Sequence, residues 1–226
     1  MLSVIVPTLN AETQLPRSLP PLASLEAVGL VREVVISDGG SQDATAAIAQ
    51  GAGARVVCAQ RGRGAQLRAG AAAARGSWLL FLHADTVLQP GWAAEVGAFI
   101  AACQNRERAA AFCFACDDGG APARALTRWV DRRCRWLKLP YGDQGLLLSR
   151  ALYDALGGYR ELPFLEDVDL VRRIGRRRMV MLRSTAETSA EKYRRDGYRR
   201  RAARNLALVG LYLAGVSPHR LARFYD

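Results

Sequence analysis

Two polar side chains, His83 and Asp85, follow directly on the apolar run of "LLFLHADT" and stand at i and i+2, with the small Ala84 between them. A buried strand that opens into such a turn can deliver ligands to a metal ion or a phosphate. About eighty positions later, "LEDVDLVRRIG" offers three carboxylates, Glu166, Asp167 and Asp169. On a helix Asp167 shares a face with Leu170, Val171 and Ile174, at i+3, i+4 and i+7, and is carried toward the interior. Burial at a cleft edge raises a carboxylate's pKa and makes it a better proton acceptor. Asp169 instead groups with Arg172, Arg173 and Arg176 and reads as a solvated ion-pair face.

These side chains need a scaffold, and the first hundred residues supply its pattern. "LSVIVPT", "VREVVISD", "ARVVCA" and "SWLLFLHAD" read as strands, rich in β-branched and aliphatic residues and bounded by Gly and Asp. "AETQLPRSLPPLASLEAVG" is broken by prolines and helical in its second part. "SQDATAAIAQGAG" opens a helix at a serine cap, and "GAQLRAGAAAARG" is a small-residue helix. The alternation predicts an α/β fold with a mainly parallel sheet flanked by helices. Later, "AAAFCFAC", "DQGLLLS" and "RMVML" read as strands, "RALTRWVDRRCRWLK" and "EDVDLVRRIG" as helices. "RRRAARNLALVGLYLAG" is a long terminal helix stopped at Gly215 and Pro218, with His219 near the next helix start. The 226 residues form a single domain of two halves, 1–104 and 105–226.

The net charge of +11 is uneven. Residues 1–123 carry nine arginines against ten acids, and residues 124–226 carry 23 Lys+Arg against 11 acids. A basic second half suits an acidic membrane surface or phosphate-bearing substrates, and no nucleic-acid motif accompanies it. The five cysteines are scattered, and strand alternation turns Cys113 and Cys116 of "FCFAC" to opposite faces, so they read as core residues of a reducing compartment. The start lacks a charged segment before its apolar run and reads as a strand, not a signal peptide. The expected location is cytoplasmic, with peripheral contact at the membrane face as an extension.

In open parallel sheets, ligands bind outside the carboxyl ends of the strands. "PTLNAE", "SDGG", "AQRGRG" and "HAD" lie there, and the glycine fingerprint of a dinucleotide site is missing after the first strand. "SVIVPTLN" with Glu12, "SDGGSQDAT", "GRGAQLRAGAAAARGSWLLFLHADT", "GDQG" and "FLEDVDLVRRI" resemble, in order and approximate spacing, the family-2 glycosyltransferases of the GT-A fold. The HAD turn and the chain's last residues look most like a bacterial subfamily known as arsenosugar-biosynthesis glycosyltransferases.

The resemblance implies an inverting transfer of one sugar from a nucleotide-diphosphate donor to a hydroxyl, assisted by Mn²⁺ or Mg²⁺. Residues 1–104 would bind the nucleotide sugar and residues 105–226 the acceptor, a small molecule or a lipid-linked alcohol. Asp38 would contact base or ribose, with Pro7, Thr8 and Glu12 on the opposite wall. Arg61, Arg63 and Gln66 would lie near the diphosphate. The family's usual turn is D-x-D, and Asp85 matches its last position, the expected metal ligand. His83 replaces the first Asp, where it would ligate the ion, contact the nucleotide or brace the loop. Asp167 is the expected base, with Glu166 the fallback, and Asp143 and Gln144 would contact acceptor hydroxyls.

The membrane spans and Q-x-x-R-W motif of processive synthases are missing, which predicts single-sugar transfer. Instead "AEKYRRDG" fills that region, and its Arg194 and Arg195 could reach the diphosphate. The apolar run at residues 206–216, after an arginine cluster, is too short to span a bilayer. It would pack on the domain, form a homodimer, or rest on anionic lipid together with Trp129, Trp136 and nearby arginines. Two rival functions are a sugar-phosphate nucleotidyltransferase and a non-catalytic basic membrane-surface module. The first would need a glycine- and arginine-rich loop with a lysine after strand one, which "PTLNAETQL" lacks.

Overall fold

The computed structural model describes residues 1–24 and 27–224. In chain order its elements are β1 (Leu2–Thr8), α1 (Leu15–Ser18), β2 (Val31–Asp38), α2 (Thr45–Gly51), β3 (Arg55–Cys58), α3 (Arg63–Ala73) and β4 (Trp78–Phe81). Then come β5 (Thr86–Leu88), α4 (Trp92–Ala101), β6 (Ala109–Cys116), α5 (Ala121–Leu137), β7 (Leu146–Ser149) and α6 (Arg150–Ala155). The last third holds α7 (Glu166–Ile174), β8 (Met179–Thr188), α8 (Glu191–Asp196), α9 (Tyr198–Leu213) and α10 (Pro218–Leu221).

One sheet runs β3-β2-β1-β4-β7-β6-β8-β5. Its first four strands are parallel, as the alternating helices require. Beyond β4 the sheet is mixed: β7 runs antiparallel to β4 and β6, β8 is parallel to β6, and β5 returns antiparallel to β8.

The near-continuous apolar strands follow from burial on both faces. Leu80 and Leu82 enter one core with Val4, Val6 and Trp92, while Leu79 and Phe81 enter the opposite one with Ile5, Leu148 and Leu170. Helix α3 lies so close to the 160 region that a Cβ on Gly64 would stand 2.3 Å from the Arg160 carbonyl oxygen. That contact needs glycine. All five cysteines are free.

Three local expectations are corrected. Among its described residues the proline-rich stretch forms the short α1 and a 3-10 turn at Pro20–Leu22, with no longer helix, because Pro16, Pro20 and Pro21 lack backbone donors; residues 25 and 26 lie outside the described residues. Ser41 does not cap α2, which begins at Thr45 after Ala44. Its hydroxyl donates to Asp38 at 2.5 Å, and the Glu12 carboxylate accepts the Ala44 N–H instead. Asp169 is buried, paired with Arg173 at 2.6 Å and Arg160 at 3.2 Å, and it accepts the Tyr212 hydroxyl. It ties α7 to α9 and faces no solvent.

Candidate active site

A cavity of about 500 Å³ opens where β1 and β4 end. Pro7 and Thr8 line it from β1, Arg63 and Gln66 from α3, and His83, Ala84 and Asp85 from the turn after β4. Tyr141, Gly142 and Asp143 enter from the turn before β7, Asp167 from the first turn of α7. Helices α8 and α9 close it with Lys192, Tyr193, Arg201 and Asn205. The fold thus brings together Asp85 and Asp167, far apart in sequence.

The turn that carries His83 and Asp85 is fixed at both ends. The Leu82 N–H donates to Ile5 at 3.0 Å, and the Thr86 N–H closes the turn on the His83 carbonyl at 3.1 Å. Burial lowers the His83 pKa to about 4, aided by the Arg63 cation and opposed by Asp85 and Asp167. The imidazole is therefore neutral at pH 7. Opposite it, Asp167 accepts the Gly142 N–H at 2.6 Å and the Val168 N–H at 2.8 Å. Leu165, just before this helix, adopts a left-handed backbone at φ 61°. A non-glycine residue held there at a cavity wall stores local strain.

Glu166, next in chain to Asp167, points elsewhere. It is 1% exposed, pairs with Arg63 at 3.2 Å and lines a smaller adjoining pocket. Burial raises its pKa to about 6, with Arg63 working against the shift. Asp143 is likewise pushed up to about 6 by burial, opposed by Arg133 and reinforced by Asp167 and Asp85. Its Oδ1 has no hydrogen-bond partner.

Gln66 is buried and donates to the carbonyls of Thr8 at 2.6 Å and Ser37 at 3.1 Å, locking α3 to the ends of β1 and β2. Other expected contacts lie outside the cavity. Asp38 turns its oxygens onto its own loop, accepting Thr8 Oγ1, Ser41 Oγ and the Gly40 and Ser41 N–H groups. Burial works to raise its pKa, but those hydrogen bonds hold it low. Glu12 is exposed at the start of α2, and Arg61 is exposed beyond β3. Gln144 is 1% exposed and fully engaged, donating to Phe112 and accepting from Arg133, Cys134 and Tyr141. It braces the turn and meets no cavity. Arg194 pairs with Asp117 and Asp118, Arg195 with Asp196, and neither lines the cavity.

Lys192, Arg201 and Asn205 were not legible beforehand, since they sit in an arginine-rich stretch whose wall-forming face only tertiary packing selects. Tyr141 had a signal: it begins "YGDQG". The Lys192 ammonium lies 3.9 Å from Asp85. Among the described residues no cluster of three or more His, Cys, Asp or Glu could hold a metal ion by itself. The donor set fits a divalent ion taken up with its substrate: one carboxylate from the chain, the remaining ligands from phosphate oxygens and water.

A mixed sheet with a polar cavity at the ends of its parallel strands defines a GT-A type sugar transferase fold. Glycosyl transferase family 2 is matched over residues 3–156, and the chain belongs to that family. It is a glycosyltransferase, which sets aside the nucleotidyltransferase and non-catalytic alternatives.

No curated protein matches the chain. Among solved structures, glucosyl-3-phosphoglycerate synthase from Mycobacterium tuberculosis, in complex with Mn²⁺, UDP and glucosyl-3-phosphoglycerate, is similar at 23% identity and a TM-score of 0.58. The match covers 84% of this chain and 70% of that one. S. aureus TarS residues 1–349, in complex with UDP-GlcNAc, matches at 18% identity and a TM-score of 0.62, over 83% of this chain and 58% of that chain. At these identities the likeness shows the fold.

Proposed function

We propose that this enzyme transfers a single sugar from a nucleoside-diphosphate donor to an acceptor hydroxyl, inverting the anomeric carbon, with a divalent cation bound at Asp85. The observation that carries this reading is that Asp85 and Asp167 open into one cavity of about 500 Å³. Pro7, Thr8 and Gln66 form the donor wall, and Arg63 and Lys192 supply cations beside the diphosphate. A cation at Asp85 would offset the negative charge of the departing diphosphate. Asp167 accepts the acceptor's hydroxyl proton as its oxygen attacks the anomeric carbon, and the bond to the diphosphate breaks with its electron pair leaving on phosphate. The Gly142 N–H holds the Asp167 carboxylate in place, which favours it over Glu166, whose oxygens face Arg63. Neutral His83 sits between donor turn and base as a brace or a hydrogen-bond partner of the donor. Asp38 supports the nucleotide wall through Thr8 rather than by direct contact.

Single transfer fits a chain with "AEKYRRDG" at residues 190–197 and, among its described residues, no helix long and apolar enough to cross a membrane. The arsenosugar resemblance leaves the acceptor class open to a screen. Folded protein is incubated with a panel of nucleotide sugars, UDP-glucose and UDP-GlcNAc first, together with a panel of alcohol acceptors and Mn²⁺ or Mg²⁺. Expected is metal-dependent release of nucleoside diphosphate from one donor, with an inverted anomeric signal by NMR. Turnover of none of them would defeat the reading.

A further inference from the structure

Helix α5 is amphipathic, and its two faces do different work. Leu126, Val130 and Cys134 pack inward on Phe114, and Ala123 is buried on the same side. The opposite face is open: Arg128, Trp129, Arg132, Arg135 and Trp136 recur at helical spacing and are all exposed. Trp136 is 74% exposed and Leu137 53%, at the helix end, where an apolar ring and a leucine gain nothing from water. Asp131, the acid on this face, is already paired with Arg135 at 3.0 Å. The Arg176 guanidinium donates to the Trp136 carbonyl at 2.5 Å, which brings the exposed Arg176, Arg177 and Arg178 to the same end of α5.

We propose that this Arg/Trp face is a docking surface for an anionic lipid bilayer. The charge complementarity selects the partner. Arginines meet lipid phosphates, tryptophan prefers the interface between headgroup and chain, and the leucine inserts just below it. Neither the leucine nor the exposed tryptophan edge has a role on a nucleic-acid backbone. A second copy would set like charges against each other. Geometry also links the surface to the active site: Arg133, on the inner side of α5, stacks 3.5 Å over the Tyr141 ring, and Tyr141 lines the cavity. One helix thus presents lipid on one side and an active-site wall on the other.

The inference stands apart from the catalytic reading and is tested without turnover. The full chain is sedimented with phosphatidylcholine vesicles, with and without phosphatidylglycerol. Binding is expected only with the anionic lipid, weakening as salt rises. Arg132→Gln and Arg177→Gln should each lower the partition coefficient about fivefold, and about 25-fold together. Brominated lipid should quench the wild-type fluorescence, and Trp136→Phe should lose most of that quenching while still sedimenting. These side chains are exposed, and unchanged thermal midpoints would verify folding. Equal binding to uncharged vesicles, or arginine variants that bind like wild type, would overturn the proposal. So would a vesicle-free dimer that Trp136→Ser converts to monomer, which would make the face a contact between copies. A chain that transfers sugar yet ignores vesicles refutes this inference alone; one that binds vesicles without transferring sugar refutes only the proposed function.

Discussion

The Gly142 backbone N–H donates to the Asp167 carboxylate at 2.6 Å, coupling the turn before β7 to the first turn of α7. No side chain fits at that junction. A Cβ on residue 142 would stand 2.5 Å from His83 Nε2 and 3.2 Å from Asp167 Oδ2. Gly142→Ala should displace the imidazole or the carboxylate and cost roughly 100-fold in kcat/KM, while the thermal midpoint falls by only a few degrees. Wild-type turnover in this variant would show that neither group needs its present position.

Asp167→Asn keeps the shape and removes the proton acceptor. Loss of about 10²- to 10⁴-fold in kcat is expected, with nucleoside-diphosphate binding by thermal shift retained. If the variant turns over normally, the base lies elsewhere, and Glu166 becomes the residue to test.

At Asp85 the readout is metal binding itself. Asp85→Ala should remove the extra thermal shift that Mn²⁺ adds to a nucleoside diphosphate. Lys192→Met should do the reverse, tightening the response to Mn²⁺, because the competing ammonium 3.9 Å away is gone. A calorimetric titration in which both variants match wild type would exclude Asp85 as the metal anchor.

Glu166 makes stability depend on pH. Burial pushes its pKa in the fold up to about 6 from 4.5, so between those values the folded chain binds the extra proton. Its ionised form is penalised: this contribution to stability is best below the lower value and worsens by about 2 kcal/mol as pH rises through the upper one. Asp143 titrates in the same direction, so the comparison must be with Glu166→Gln. Denaturation at pH 5 and pH 8 should show a smaller loss in the variant. An equal pH slope in both proteins would contradict the assignment.

The parallel half of the fold was plain in the sequence because its signals are local. Each strand is a short apolar run, and the residues at the ends of β1 and β4 now ring the cavity, as Thr8 and Asp85 do. Which of those residues face inward was not local. Asp38 and Glu12 are short acids beside unpaired backbone N–H groups, and they turned to those donors rather than to the cavity. Asp169 looked solvated on a helical wheel because the wheel omits Tyr212 and Arg160, which arrive from other segments. Gln144 looks like an acceptor contact in the sequence, yet its oxygen accepts from the buried Arg133. The short β5 after "HAD" has no pattern of its own and exists through pairing with β8.

The stretch matched to the family spans residues 3–156, whereas Asp167, Lys192, Arg201 and Asn205 all come from the chain beyond it. Under the proposed function, the base and one of the cations beside the diphosphate would both come from that later stretch. Exchanging residues 188–213 between relatives would then shift donor grip and product together, because Lys192 travels with the rest of that wall.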